Sequence, residues 1–573
     1  MSTGRICCLV LLTLGVLAVV AVLVVILTQP KCGPQRYLHG AVAADTETCS
    51  DIGRDILKSG GTAVDAAIAG LICTSVMNPQ SSGLGGGVVF TIYNASTGTV
   101  EVINARETVP RGFPQDLLSG CARLATGSRW IGVPGEIRGY EEAHKRHGRL
   151  PWKSLFEPTI KLLSEPLVIS PVTDKIIRYL ELYKQGQTLC PLICDGQRFL
   201  KRGETFRWPA LQQTLRAVAE NGPTAFYEGQ IGEALVEDIR KAGSVISMED
   251  LKAYTAEVSS ALNITLNNDT MVFSPGPPMG GAVLLFILKI LEQYKFHEAS
   301  KDKEETYHLI AEALKFGNML KPLMSDPAFS EAQVTVEATL SDKTAEHVRS
   351  QIDARGDHLL KHYDLWQSNY NHTYRSKGTS HISVLAADGS AVSATSTINY
   401  PFGSFVYSRQ TGIILNNELA DFCIKAKRSI KPGWFSMRNA RRMRNNTSAS
   451  ALGERPPSAM VPSILISKSG DMLVIGGAGG ARIISATAMA IINKLWFGYD
   501  LEHAISSPIM HIDSNNILFE EHFSEDVRNG LLSRGHKEKT DNFTMNVVQG
   551  ISKEGKCISA YSDKRKLGKS AGY

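Results

Sequence analysis

The chain has 573 residues, 43% of them hydrophobic and 20% charged, which describes a globular protein able to bury a large core and excludes a mainly disordered one. The formal net charge is +5, yet eight Lys or Arg stand against one acid between Asp421 and Asn446, so the remainder is slightly acidic. A near-neutral body with one basic run gives no footing for nucleic-acid binding.

Ile6 to Thr28 is an uncharged run of 23 residues rich in Leu and Val, long enough to cross a bilayer. It is longer than the apolar region of a cleaved signal peptide, and no small-x-small cleavage site follows it, so it reads as an uncleaved anchor. With residues 1–5 as a cytoplasmic tail and residues 29–39 as a stalk, the expectation is a single-pass type II plasma-membrane protein with its folded mass outside. Cys7 and Cys8, inside or beside the anchor, are candidate palmitoylation sites. Sequons at Asn94, Asn263, Asn268, Asn371, Asn445, Asn446 and Asn542 agree with passage through the secretory route.

Ala41 to Ala44 reads as a buried strand, and Ser50 as the cap of a helix ending at Gly60-Gly61. Thr62 to Met77 is apolar nearly all round and predicts a fully buried helix. In Gly83-Leu84-Gly85-Gly86-Gly87 the third glycine of a dinucleotide fingerprint falls on Val88, and ahead of Gly568-Lys569-Ser570 a phosphate loop's first glycine is replaced by Asp563. Neither nucleotide motif is present. Val88 to Tyr93 and Val100 to Ala105 alternate as a strand pair, with Arg106 at the end of the second. From about 150 to 325 the pattern turns helical, with Leu211 to Glu220, Ile231 to Lys241 and Ala282 to Gln293 as its clearest segments.

Past Ser376 the chain reads Lys377-Gly378-Thr379-Ser380-His381, alternates through Leu385, and returns from Ala391 to Thr397 after the hairpin signal Asp388-Gly389. Pro462 to Ser467 and Met472 to Ile475 repeat the scheme around Ser469-Gly470, and Ala478-Gly479-Gly480 leads into a helix from Ser485 to Trp496. A cut between Gly378 and Thr379 would give Thr379 both a nucleophilic hydroxyl and a free α-amine, and that amine can act as the base for its own hydroxyl. His381 is the next candidate base in sequence.

Gly-Thr-Ser-His, Ser396-Thr397-Ile398-Asn399, Asn416-Asn417-Glu418, Gly476-Gly477-Ala478-Gly479-Gly480 and Ala571-Gly572-Tyr573, in this order, resemble the gamma-glutamyltransferases (glutathione hydrolases). The resemblance runs from about residue 40 to the C-terminus. It implies an α/β fold: the four-layer αββα sandwich of the N-terminal-nucleophile hydrolases, self-cleaved into intertwined subunits 40–378 and 379–573. It assigns Arg106 to the substrate α-carboxylate, where a guanidinium fork binds both oxygens. Asn399, Glu418 and Asp421 would hold the α-ammonium, and Thr397 would orient the nucleophile Thr379. Gly479 and Gly480, whose N–H groups are free at a helix start, would form the oxyanion hole, where losing one donor costs about 3 kcal/mol. Disulfides Cys49–Cys73 and Cys190–Cys194 are carried over from the same resemblance.

The resemblance implies an enzyme acting on glutathione and its S-conjugates, with water, amino acids or dipeptides as acceptors. No cofactor is implied, and neither H-E-x-x-H nor a paired C-x-x-C suggests a metal. The Thr-Ser-His triplet, Tyr400-Pro401-Phe402-Gly403 and Thr411-Gly412-Ile413-Ile414-Leu415 look closer to the gamma-glutamyl leukotrienase branch. Two departures stand out. The family often has two adjacent serines on the substrate carboxylate, but here Ser458 is followed by Ala459, a lost hydrogen bond worth roughly 1.5–3 kcal/mol. The basic stretch Cys423 to Asn446 lies where the family carries a lid. The rival reading is a catalytically silent, membrane-anchored ectodomain that only binds γ-glutamyl ligands.

Overall fold

The computed structural model describes residues 13–20, 36–114, 116–121, 125–182, 184–366, 378–424, 451–540 and 547–573. Two seven-stranded antiparallel sheets form its centre. The first runs Lys569–Gly572, Ala41–Ala44, Gly378–Leu385, Ala391–Asn399, Gly87–Asn94, Thr99–Ala105, Glu257–Ser260. The second runs Arg36–Tyr37, Cys557–Ser562, Val547–Glu554, Met472–Ala478, Ser463–Ile466, Met271–Ser274, Leu262–Thr265. Each sheet contains strands from both sides of the Gly378–Thr379 bond, so a cut there leaves the two pieces interleaved.

Alternation along the strands assigns the layers. Ile382, Val384, Val392 and Ala394 point outward from the first sheet into a core with the helices Glu47–Lys58 and Ala63–Met77. Helices Gly281–Leu291, Glu304–Leu320 and Ile483–Leu495 cover the outer face of the second sheet. Between the sheets an apolar cluster of Leu385, Ile464, Met472, Val474, Ile551 and Ile558 is joined by polar contacts: Ser393 Oγ donates to the Ile475 carbonyl at 2.9 Å and Thr91 Oγ1 to that of Pro462 at 2.7 Å. The order is helices, sheet, sheet, helices, as expected.

The buried helix Ala63–Met77 starts at Thr62, whose side chain and that of Asp65 cap each other's backbone N–H groups. Gly70 lets it lie on the central strand, since a Cβ there would meet Ile382 Cδ1 at 2.4 Å. The preceding helix is capped by Thr46, not Ser50; Ser50 Oγ instead accepts from Ala44 N–H at 3.0 Å. The strands at 257–274 were hidden in a stretch that reads as helical. They are four residues each, and Glu257–Ser260 is exposed throughout with Val258 its single apolar residue, so alternation left little mark. Arg36–Tyr37, within the stretch expected to be a stalk, pairs with Ser559 and Ile558.

Disulfides Cys49–Cys73 and Cys190–Cys194 are both formed, and a third, Cys121–Cys423, joins residues that the sequence left unassigned. Residues 13–20 of the apolar run are helical and exposed, and the rest of Ile6 to Thr28, with Cys7 and Cys8, lies outside the described residues. Among the described residues no helix is long and apolar enough to cross a membrane. Asn263 and Asn268 are exposed and Asn94 is half-buried, whereas Asn371, Asn445, Asn446, Asn542 and the basic run beyond residue 424 fall outside the described residues.

Candidate active site

Thr379 occupies a β-bulge. Gly378 faces Asn399 in the ladder and Ser380 faces Ser396, so the register slips by one residue at Thr379 and its side chain is re-aimed. Its hydroxyl donates to the Gly378 carbonyl at 2.7 Å, and Thr397 Oγ1 donates to the same oxygen at 2.7 Å. Thr397 and Thr379 therefore share the Gly378 carbonyl oxygen, whereas the sequence reading has Thr397 lean on Thr379 directly.

From Thr397 a chain of contacts leads to a buried charge cluster. Asn399 N–H donates to Thr397 Oγ1 at 2.8 Å, and Asn399 Nδ2 donates to Asp421 Oδ1 at 2.8 Å. Asn399 holds φ +75°, a left-handed conformation that Asn tolerates better than most side chains and that turns its amide toward Asp421. Arg106 then bridges the two acids, with Nη1 donating to Glu418 Oε1 and Nη2 to Asp421 Oδ2, each at 2.6 Å. Its remaining donors reach the carbonyls of Pro456 at 2.6 Å and Pro457 at 2.9 Å.

The acids are carried by a 3₁₀ segment, Glu418–Ile424, which two asparagines brace from below. Asn416 bonds Gly85 and Gly132, and Asn417 Nδ2 donates to the Ala125 carbonyl at 2.6 Å. The glycine run accounts for the close approach. A Cβ on Gly85 would meet the Ile414 carbonyl oxygen at 2.2 Å, and one on Gly86 that of Thr397 at 2.1 Å.

Sequence reading did not single out Glu107, which is fully buried and 4.0 Å from Arg106 Nη1. Burial pushes Glu107, Glu418 and Asp421 each up to about 8, with Arg106 opposing the rise in all three. One guanidinium thus faces three buried carboxylates, each of which burial makes easier to protonate, and Glu107, against Glu418, stands farther from the guanidinium than the two acids it bonds.

Gly479 and Gly480 leave the strand Met472–Ala478 with positive φ of 123° and 60°, a path open to glycine, and start the turn into helix Ile483–Leu495. That strand faces the central one: a Cβ on Gly476 would touch the His381 ring at 2.3 Å, and Leu385 packs with Met472 and Val474. Extending both strands carries Thr379 and Ala478-Gly479 to one end of the sandwich. His381 itself is occupied, its ring nitrogens 2.8 Å from Thr395 Oγ1 and 3.1 Å from Ser383 Oγ, and burial pulls it down to about 3. It is a neutral strut between the sheets and not a base for Thr379.

Ser458 follows the two prolines that receive Arg106, and its Oγ accepts from Met460 N–H at 3.2 Å. Ala459 is buried in the apolar core beneath helix Gly281–Leu291. Sequence reading also missed Lys566, whose buried Nζ donates to the Thr379 carbonyl at 2.7 Å and to Ser380 Oγ at 3.2 Å and pairs with Asp45. The third of three consecutive basic residues, Lys566 carries no signal that it bonds a strand residue 187 positions away. Elsewhere His308, Glu312 and His536 converge in the core. Lys315 Nζ already supplies a cation there, 3.1 Å from Glu312 Oε1 and 2.9 Å from His536 Nδ1.

The family model described as gamma-glutamyltranspeptidase matches residues 49–573. The chain belongs to this family. Among its relatives, the human protein named glutathione hydrolase 5 proenzyme is 49% identical over 99% of this chain and 98% of its own length. Scoloptoxin SSD14 of Scolopendra dehaani is 35% identical, covering 93% of this chain and 92% of its own. In structure, cephalosporin acylase from Bacillus halodurans superposes with a TM-score of 0.80 at 22% identity, over 95% of this chain and 99% of that one. Helicobacter pylori gamma-glutamyltranspeptidase gives 0.51 at 23% identity, over 57% of this chain and 94% of that one. These likenesses fit the observed layers, and the sandwich is that of the N-terminal-nucleophile hydrolases.

Proposed function

We propose that this family member removes the γ-glutamyl group from glutathione and its S-conjugates and passes it to water, an amino acid or a dipeptide. The observation that carries the reading is the pairing of Arg106 with Glu418 and Asp421, joined through Asn399 and Thr397 to Thr379. One cation between two acids is the mirror image of an amino-acid zwitterion. A glutamyl group could take over both halves of this internal pairing, its α-carboxylate on Arg106 and its α-ammonium on Glu418, Asp421 and Asn399. Ser458 would add a hydroxyl to the carboxylate. The relatives named glutathione hydrolases support glutathione as the donor.

Maturation comes first in this scheme. Thr379 Oγ1 attacks the Gly378 carbonyl carbon, the C–N bond breaks as the nitrogen takes a proton, and water hydrolyses the resulting ester to free the carboxylate of Gly378 and the amine of Thr379. The catalytic cycle repeats the attack on the γ-amide of the substrate. A glutamyl ester forms on Thr379, the leaving amine departs with the proton taken from the hydroxyl, and water or an acceptor amine releases the glutamyl group. N–H groups of Gly479 and Gly480 would stabilise the oxyanion in both halves.

The mature protein is, on this reading, a heterodimer anchored by residues 6–28 in the plasma membrane with residues 40–573 outside. The cysteinyl leukotriene conjugate is the S-conjugate we assign to it, on the branch motifs around Tyr400 and Thr411. Turnover of a chromogenic γ-glutamyl amide by the purified protein tests the core of the scheme. Release of the chromophore, abolished in Thr379→Ala, is expected; a cleaved, folded and inert protein would favour the binding-only reading.

A further inference from the structure

The Cys121–Cys423 disulfide has a placement unlike the other two whose partners are both among the described residues. Cys49–Cys73 and Cys190–Cys194 each close a short loop, whereas this one joins residues 302 positions apart on opposite sides of the Gly378–Thr379 bond. Cys423 lies two residues beyond Asp421, within the same 3₁₀ segment that carries Glu418. Cys121 caps the short 3₁₀ turn Leu117–Gly120. Around the bond, Phe113, Leu117 and Trp130 pack against Leu419, Ala420 and Phe422 in a small core of their own. Both cysteines remain half-buried, within reach of a small thiol.

We propose that Cys121–Cys423 is a covalent bond between the two chains of the processed enzyme, beside the disulfide of Cys557 whose partner lies outside the described residues, and that it positions the Glu418–Ile424 segment against Arg106. The proposal rests on the processing reading above. A segment of seven residues can bury only a small core, so a covalent link at its far end restricts how far Glu418 and Asp421 can swing from the guanidinium. Because the proposed substrates and products include thiols, the half-buried bond is exposed to small-molecule reductants. A thiolate attacks one Sγ and expels the other cysteine as thiolate. A second thiol then resolves the mixed disulfide, leaving Cys121 and Cys423 reduced and the two small thiols oxidised to one disulfide.

The experiment runs the purified protein on denaturing gels with and without reductant, alongside peptide mapping of the unreduced, alkylated protein. One band near full length that splits into two fragments on reduction, with a linked peptide holding Cys121 and Cys423, is expected. Two fragments in both lanes would overturn the bond between chains. A full-length band in both lanes would overturn the processing reading and the inter-chain role with it, the mapped peptide still reporting whether the bond forms.

Positioning is read from kinetics. Mild reduction of wild-type enzyme, and the Cys121→Ser/Cys423→Ser double variant, should each raise KM for a γ-glutamyl amide about tenfold, the equivalent of one pocket hydrogen bond, with kcat changed far less. Cys190→Ser/Cys194→Ser should leave the band pattern and KM as they were. An unchanged KM in the reduced wild type would mean that the bond joins the chains without positioning the acids.

Discussion

Thr397 donates its hydroxyl to the carbonyl oxygen of Gly378 at 2.7 Å, the oxygen that turns anionic when Thr379 attacks. This contact belongs to the uncut chain and disappears once Gly378 leaves. Thr397→Ala should therefore slow the appearance of fragments 1–378 and 379–573 by about 10²-fold, the usual cost of one oxyanion donor. Thr397→Ser should restore most of the rate. A time course on reducing gels reads the outcome, and cleavage of Thr397→Ala at the wild-type rate would remove Thr397 from the processing step.

Lys566 reaches the same strand from the opposite side. Its ammonium holds the Thr379 carbonyl and the buried carboxylate of Asp45, so Lys566→Met leaves a buried charge without its cation. Such losses cost about 3–5 kcal/mol. We expect a clear drop in Tm for Lys566→Met and slower processing, with little rescue by Lys566→Arg, whose planar fork does not fit a point-charge site. Gln549 Nε2 also donates to Asp45 Oδ1, and an unchanged Tm would mean that this bond alone satisfies the carboxylate.

The charge cluster predicts an unusual pH dependence. Glu107, Glu418 and Asp421 all titrate higher in the folded chain, near 8, than their usual values of 4.5 and 3.8. A raised pKa gives stability that is complete below the unfolded value and is lost as pH rises through the folded one. Stability should thus fall between about pH 4.5 and 8, the reverse of the ordinary carboxylate trend. Glu107→Gln keeps the volume and removes one titration, so denaturant unfolding of uncut Thr379→Ala protein should show a shallower decline with this second change. The difference by pH 8 should be at least about 1 kcal/mol, the linkage equivalent of less than one pKa unit. Parallel pH profiles would mean that Glu107 does not titrate in this range.

The layer order was legible because the central strands carry strong local signals: Asp388-Gly389 turns the hairpin, and Ile382, Val384, Val392 and Ala394 alternate into one core. The site was legible only as motifs, since Arg106 and Asp421 stand 315 residues apart and nothing local tells them that they share a buried charge cluster. Glu107 could have been suspected from its neighbour Arg106, but an acid beside an arginine is more often a solvated pair. Cys121–Cys423 was out of reach for a different reason. Its partners stand 302 residues apart, so local spacing carries no trace of it.

The last prediction concerns the base. In the uncut chain the Thr379 nitrogen is an amide and accepts no proton, and His381 has both ring nitrogens committed to Thr395 and Ser383. Cleavage creates an α-amine with a reference pKa of about 7.7–8.0, of which an appreciable fraction is neutral near physiological pH. Below that range the amine is an ammonium and cannot accept the hydroxyl proton, so turnover should rise with pH through its titration. Thr379→Ser keeps hydroxyl and amine together and should process and turn over slowly. Carbamylation of the new amine, with the chains still associated, should abolish turnover of the chromogenic amide. His381→Asn should leave the position of the pH profile unchanged while lowering Tm, because it loosens a strut between the sheets and does not touch the base. If the carbamylated enzyme still released glutamate at its former rate, the proton would have to pass to a group other than the amine.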